Sequence, residues 1–245
     1  MTALLALFAA GLLLVLAGTR TARAPRGPVP DFDGYLRLWS PLHDGYDPRR
    51  NRWLLGWLRL SYTVARPLAR RGVSPDVLTF ASTWLAVAVF VPAQAGGRWP
   101  ILAGWVLVAS GLGDTLDGCV AVLTGRTSRW GYVLDSAVDR VNDVIYLAAV
   151  VSVGAPVWLA AVAGLAFFLL EYVRARAGNA GMGAIESVTL GERANRVILC
   201  SAGIHFGGVF LGREETVATV AVGVLAVLSV VGLGQLLVTV RRALA

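Results

Sequence analysis

The chain has 245 residues, of which 56% are hydrophobic and only 15% charged, and its mean hydropathy is +0.66. A soluble domain is usually about a quarter charged, so this composition excludes an ordinary water-soluble enzyme and reads as an integral membrane protein. The net charge is +7 and all 22 basic residues are arginine, but they fall between apolar segments, a distribution that fits anionic membrane lipids and argues against a nucleic-acid partner.

Residues 3 to 18 are an apolar run followed by Arg20, Arg23 and Arg26. A cleaved signal peptide carries its positive charge before the apolar run, so residues 1–19 read as an uncleaved N-terminal membrane anchor with its N-terminus outside. Residues 20–49 turn polar, with Pro, Gly and Asp, and read as a cytoplasmic linker. Residues 50–71 predict an amphipathic helix lying in the membrane interface. Trp53, Trp57, Leu60, Val64 and Leu68 recur at helical spacing on one side, and Arg52, Arg59 and Arg66 mark another.

Ser74 and Pro75 then mark a helix start, with serine as the N-cap and proline in the first turn. Six apolar segments follow, at about 77–95, 100–122, 132–153, 156–173, 196–211 and 216–239. Most are near the ~20 residues that a membrane span requires, so residues 72–245 read as a six-helix membrane domain. If residues 20–75 are cytoplasmic, that side collects nearly all the arginines, and only Arg98 and Arg213 face the other way. The positive-inside bias therefore orients the chain in the cell inner, or plasma, membrane. Gly203 and Gly207 stand at a spacing that suits close helix packing. Cys119 and Cys200 sit among apolar residues and read as small core hydrophobes, while His43 and His205 have no companion at metal-ligand spacing.

The stretch that demands explanation is GDTLDGCVAVLTGRTSRWGYVLDSAVD, from Gly113 to Asp139. It places four carboxylates among apolar segments, where an ionised group is expensive. Asp114 and Asp117 are three apart and Asp135 and Asp139 four apart, so on helices each pair projects from one face. A single intramembrane aspartate is as easily a helix-packing residue as a functional one. Four in this pattern, with Gly118 and Gly131 allowing close approach, point to a site for hard divalent cations. Asp143, four residues after Asp139, extends the carboxylate face, and Arg140 neutralises part of it. At the cytoplasmic ends of the spans, this site is placed where soluble nucleotides are available.

A second polar constellation follows the 156–173 span. Arg174 and Arg176 close that span, and Arg193 and Arg196 open the next. Taken alone, four such guanidiniums read either as ordinary positive-inside flanking charge or as a grip on phosphate.

The order Asp114-x-x-Asp117-Gly118-x-x-Ala121, then Gly131-x-x-x-Asp135-x-x-x-Asp139, resembles the signature of the CDP-alcohol phosphotransferase family, DxxDGxxAR followed by GxxxDxxxD. Val122 stands where that signature has arginine, and Arg126 is a stand-in for it if the helix continues that far. Gly72 to Thr79, GVSPDVLT, resembles the family's GxSPNxxT entry segment, with Asp76 in place of asparagine. RARAG at 174–178 and Glu192, Arg193 and Arg196 are similar to the KARAE and ERxxR segments of the bacterial phosphatidylinositol phosphate synthase branch, with Gly178 in place of glutamate.

The resemblance implies an all-α membrane enzyme with a six-transmembrane-helix core, a juxtamembrane amphipathic helix and, here, an extra N-terminal segment. It implies transfer of a phosphatidyl group from CDP-diacylglycerol, or a related CDP-linked lipid, to a small polar alcohol, with release of CMP. Two Mg²⁺ or Mn²⁺ ions are implied on Asp114, Asp117, Asp135 and Asp139, with Asp139 also the general base. Gly118, Ala121, Gly131, Asp76 and Thr79 are implied beside the nucleotide, and Arg174, Arg176, Arg193 and Arg196 on the phosphate of inositol phosphate. A homodimer is expected on the same ground. The competing expectations are a family member using glycerol phosphate or another polyol, and a non-enzymatic membrane protein that binds or transports divalent cations. Transporters more often spread ionisable residues along a midplane pathway, whereas these gather at one membrane surface.

Overall fold

The computed structural model describes residues 27–43, 45–182 and 189–245, with Ala6, Ala9, Ala10 and Leu13 before them. Those four are helical, and the rest of the expected anchor lies outside the described residues. Among the described residues every regular element is a helix. They are α1 (Phe32–Trp39), α2 (Arg52–Arg70), α3 (Pro75–Ala88), α4 (Phe90–Gln94), α5 (Trp99–Thr124), α6 (Arg129–Ser152), α7 (Val157–Asn179), α8 (Arg193–Val209) and α9 (Glu214–Leu244).

All six expected apolar segments are helical. Among the described residues, four stretches are long and apolar enough to cross a membrane: Pro75–Gln94, Trp99–Thr124, Val157–Asn179 and Glu214–Leu244. The other two miss that standard for chemical reasons. Asp135, Asp139, Arg140 and Asp143 interrupt α6, while α8 has only 17 residues and carries Arg193 and Arg196 in its first turn.

The chain divides into two compact units, one of residues 2–85 and 109–139 and one of 86–108 and 140–245. In the first, α1 occupies part of the stretch that reads as a linker. Its signal is Phe32, Tyr35, Leu36 and Trp39, spaced as one helical stripe, behind Asp31, whose carboxylate accepts from Gly34 N at 2.7 Å as an N-cap. Tyr35, Leu36 and Trp39 are buried with Leu58, Tyr62, Ala65 and Ala69 of α2 and with Leu116, Cys119, Val120, Val122 and Leu123 of α5. Polar composition around the stripe hid it. Burial of the Tyr35 phenol pushes its ionisation well above the usual tyrosine range.

The second stripe of α2 behaves differently. Trp53 and Leu60 stay exposed and Trp57 is half-buried, while Leu58, Tyr62, Ala65 and Ala69 on its other side are buried. Asn51 caps α2, its side chain accepting from Trp53 N and Leu54 N.

Two helices of this unit end on the same device. After α2, Val73 N bonds Leu68 O and Gly72 N bonds Ala69 O; after α5, Arg126 N bonds Ala121 O and Gly125 N bonds Val122 O. Both are Schellman caps, and both place glycine in the left-handed region, Gly72 at φ 72° and Gly125 at φ 63°. The Arg126 guanidinium donates to Gly72 O at 3.3 Å, joining the two caps.

In the second unit α9 packs along α7 and α8. Small residues permit the approach. A Cβ on Gly203 would lie 2.9 Å from Ala221 Cβ, so only glycine fits there without movement. Leu170, Ile204, Leu225 and Leu236 are fully buried.

Candidate active site: an aspartate cluster and an arginine network

The aspartate cluster belongs to the first unit. Asp114 and Asp117 project from one face of α5, and Asp135 and Asp139 lie one turn apart near the start of α6. Ser128 opens α6, its hydroxyl accepting from Gly131 N at 2.9 Å. One carboxylate oxygen each of Asp114, Asp135 and Asp139 can be chosen so that all three lie within 4.8 Å of one another. At that separation, with an effective dielectric constant near 20, two carboxylates repel by about 3 kcal/mol. Three together, with Asp114 buried, call for a cation, and an all-carboxylate donor set is the one that hard divalent ions prefer. The residues therefore fit Mg²⁺ or Mn²⁺.

The fourth aspartate is held differently. Asp117 is buried and accepts a short hydrogen bond from the hydroxyl of Thr79, the residue one turn into α3. Thr79 also reaches back to Pro75 O at 3.2 Å, so the entry segment orients Asp117. Gly118, next to it, is exposed, and a Cβ built there would meet nothing within 4 Å. The carboxylate face is thus open to a ligand at this point. Ala121 and Gly131 are half-buried and Asp76 is exposed in the first turn of α3.

The continued helix expected to carry Arg126 is not formed. Val122 is buried in the apolar cluster under α1. Arg126 does not lie on a continued helix, because α5 ends at Thr124, and its guanidinium is directed to the Gly72 carbonyl. That bond joins the ends of α2 and α5.

The arginine network belongs to the second unit and contains more acid than its sequence motif announces. Arg196, at 1% exposure, bonds Asp143 Oδ2 at 2.8 Å, Glu171 Oε1 at 2.7 Å and Gly191 O at 3.0 Å, and its guanidinium lies over the Phe167 ring. Its bonding is turned inward, so it is a strut and not an open phosphate ligand. Asp143 is correspondingly not part of an open carboxylate face; Arg140 and Arg193 also lie beside it, at 3.4 and 3.8 Å.

Arg174 bonds Glu192 Oε1 at 2.8 Å and lies 3.6 Å from Glu171. Glu192 also accepts from the Thr189 amide and hydroxyl, both at 3.0 Å. Arg174 and Arg193 are partly exposed and Arg176 is exposed. Asp143, Glu171 and the role of Glu192 escaped the sequence reading as partners of the arginines. The available signal was their position within or beside apolar helices, where an unpaired acid is costly.

The family model for CDP-alcohol phosphatidyltransferase matches residues 72–241. The chain belongs to that family. It is 33% identical over 193 residues to a phosphatidylinositol phosphate synthase of Streptomyces avermitilis, covering 71% of this chain and 75% of that protein. It is 31% identical over 153 residues to an archaetidylinositol phosphate synthase of Pyrococcus horikoshii, covering 61% and 78%. Among solved structures, the phosphatidylinositol phosphate synthase of Mycobacterium tuberculosis matches with TM-score 0.62 and 26% identity over 75% of this chain and 90% of that one, in a complex with manganese and citrate. The same protein with CDP-DAG bound matches at TM-score 0.60. This chain is accordingly an integral membrane, divalent-metal-dependent phosphatidyltransferase of the family that acts on CDP-linked lipid.

Proposed function

We propose that the chain transfers the phosphatidyl group of CDP-diacylglycerol to a hydroxyl of inositol phosphate, releasing CMP on the cytoplasmic face of the membrane. The observation that carries the transfer chemistry is the convergence of Asp114, Asp135 and Asp139. Inositol phosphate is favoured by the names of the relatives and by partly exposed arginines beside Glu192.

In this reading Asp114, Asp117, Asp135 and Asp139 would hold two divalent ions, whose chemistry there would be to neutralise charge on the pyrophosphate. Asp139 accepts the proton of the acceptor hydroxyl. Its contribution is chiefly placement of the acceptor hydroxyl. The hydroxyl oxygen bonds to the lipid-bearing phosphorus, and the bond from that phosphorus to the CMP oxygen breaks. Thr79 fixes Asp117, while Asp76, Gly118, Ala121 and Gly131 border the nucleotide. Arg174, Arg176 and Arg193 hold the acceptor phosphate, and Arg196 holds the acids that aim them. Six helices cross the membrane in this account, and the active assembly is a homodimer.

A second reading, another phosphorylated alcohol such as glycerol phosphate, is favoured by Gly178. It is exposed with open space about it, where the motif it resembles has glutamate. Inositol phosphate labelled in its phosphate decides between them. Label carried into a lipid product supports the first reading; label left wholly in the aqueous phase, with CMP released from CDP-diacylglycerol only when glycerol phosphate is the acceptor, supports the second.

A further inference from the structure

The family match begins at residue 72, yet α1 and α2, which precede it, are built into the unit that carries the aspartates. We propose that α1 braces the metal site, Leu36 being a positioning residue that holds the α5 carboxylates in register for a divalent cation. The inference rests on the metal-site reading of the aspartate cluster.

Helix α5 has two faces in this region. Asp114, Asp117 and Ala121 follow one another at spacings of three and four. Leu112, Leu116, Cys119 and Leu123 do the same about half a turn around the helix. One face therefore meets ligand and the other meets protein, and what covers the second controls how the first is presented. Its cover is the stripe of α1, with Tyr35 at 1% and Leu36 at 2% exposure, together with Leu58 and Tyr62 of α2.

The brace is itself held firmly. Tyr62 OH donates to Pro30 O at 3.0 Å, immediately before α1, and the Phe32 and Tyr35 rings lie 5.3 and 5.8 Å from the Tyr62 ring. Arg49 bonds Asp33 at 2.8 Å and the Arg59 guanidinium sits 4.9 Å over the Phe32 ring. From α2, Trp57 Nε1 donates to Thr115 Oγ1 at 3.3 Å, on the residue next to Asp114. Tyr62, Arg49 and Arg59 thus hold α1 and its start, while Trp57 ties α2 to α5. Shortening Leu36 leaves the ligands intact and loosens only their support. If loosening leaves the carboxylates competent about a tenth of the time, cation affinity falls about tenfold.

The test uses the full-length protein in detergent or nanodiscs and reads Mn²⁺ binding by loss of the free-ion electron paramagnetic resonance signal, well below the melting temperature. Leu36→Ala is expected to weaken Mn²⁺ binding about tenfold and Leu36→Met to restore it. Leu225→Ala, an equally buried substitution on α9, serves as the control for general destabilisation and is expected to leave affinity unchanged. Wild-type affinity in Leu36→Ala, or equal weakening in Leu225→Ala, overturns the brace while leaving the metal site standing. If wild type fails to bind Mn²⁺, or Asp135→Asn binds it as wild type does, the metal-site reading fails and the brace falls with it.

Discussion

Arg196 and Asp143 form a buried ion pair, 53 residues apart in sequence and 2.8 Å apart in space, with side-chain exposures of 1% and 0%. The same guanidinium satisfies Glu171 and the Gly191 carbonyl. A charge so placed is costly to remove, because Asp143 and Glu171 are then left with only their longer contacts to Arg140, Arg193 and Arg174. Arg196→Met is therefore expected to destabilise the protein by about 3–5 kcal/mol. Arg196→Lys also fails to rescue it, since a point charge cannot bridge two acids and a carbonyl as the planar fork does. Denaturation of the two variants in detergent checks this; wild-type stability in either would remove the strut.

Thr79→Val keeps the shape of the side chain and removes the hydroxyl that donates to buried Asp117. Stranding that acceptor is expected to cost about 1–3 kcal/mol in the metal-free protein, and to weaken cation binding as Asp117 loses its orientation. Melting of the metal-free variant and a Mn²⁺ titration measure the two effects separately.

How much of this was legible beforehand depends on the range of the interaction. The aspartate faces follow from spacings of three and four on a helix, so Asp114, Asp117, Asp135 and Asp139 stand out without knowledge of the fold. The end of α5 was also within reach, since Gly125 can adopt the left-handed cap that stops the helix before Arg126. Helix α1 was present as the stripe Phe32, Tyr35, Leu36 and Trp39 but was masked by its Pro, Gly and Asp neighbours. The arginine network was not legible, because nothing local in the chain says that Arg196 will meet Asp143 and Glu171. For the same reason a motif of basic residues looked like an open phosphate grip when one member was already spent on internal acids.

Removing the divalent ion is expected to lower stability by mass action. At Mn²⁺ one hundred times its dissociation constant, the folded protein gains about 2.7 kcal/mol over the metal-free form. Melting with Mn²⁺ and with chelator measures the difference. Asp135→Asn is expected to abolish it; an unchanged Mn²⁺ effect in that variant would place the ion elsewhere.

Arg126→Ala removes a partly buried bond between two helix caps. Its expected cost is about 0.5–1.5 kcal/mol, read by melting the metal-free variant against wild type; unchanged melting would remove the tie between the two caps.

The most direct measurement is CMP release by the purified protein given CDP-diacylglycerol and Mn²⁺, with inositol phosphate, glycerol phosphate, inositol or no acceptor, and with Asp139→Asn as control. The account predicts release that depends on inositol phosphate. It also predicts that Asp139→Asn binds the CDP-lipid yet turns over at least about 100-fold more slowly. Near-normal turnover in Asp139→Asn, or release indifferent to the acceptor's phosphate, would contradict it.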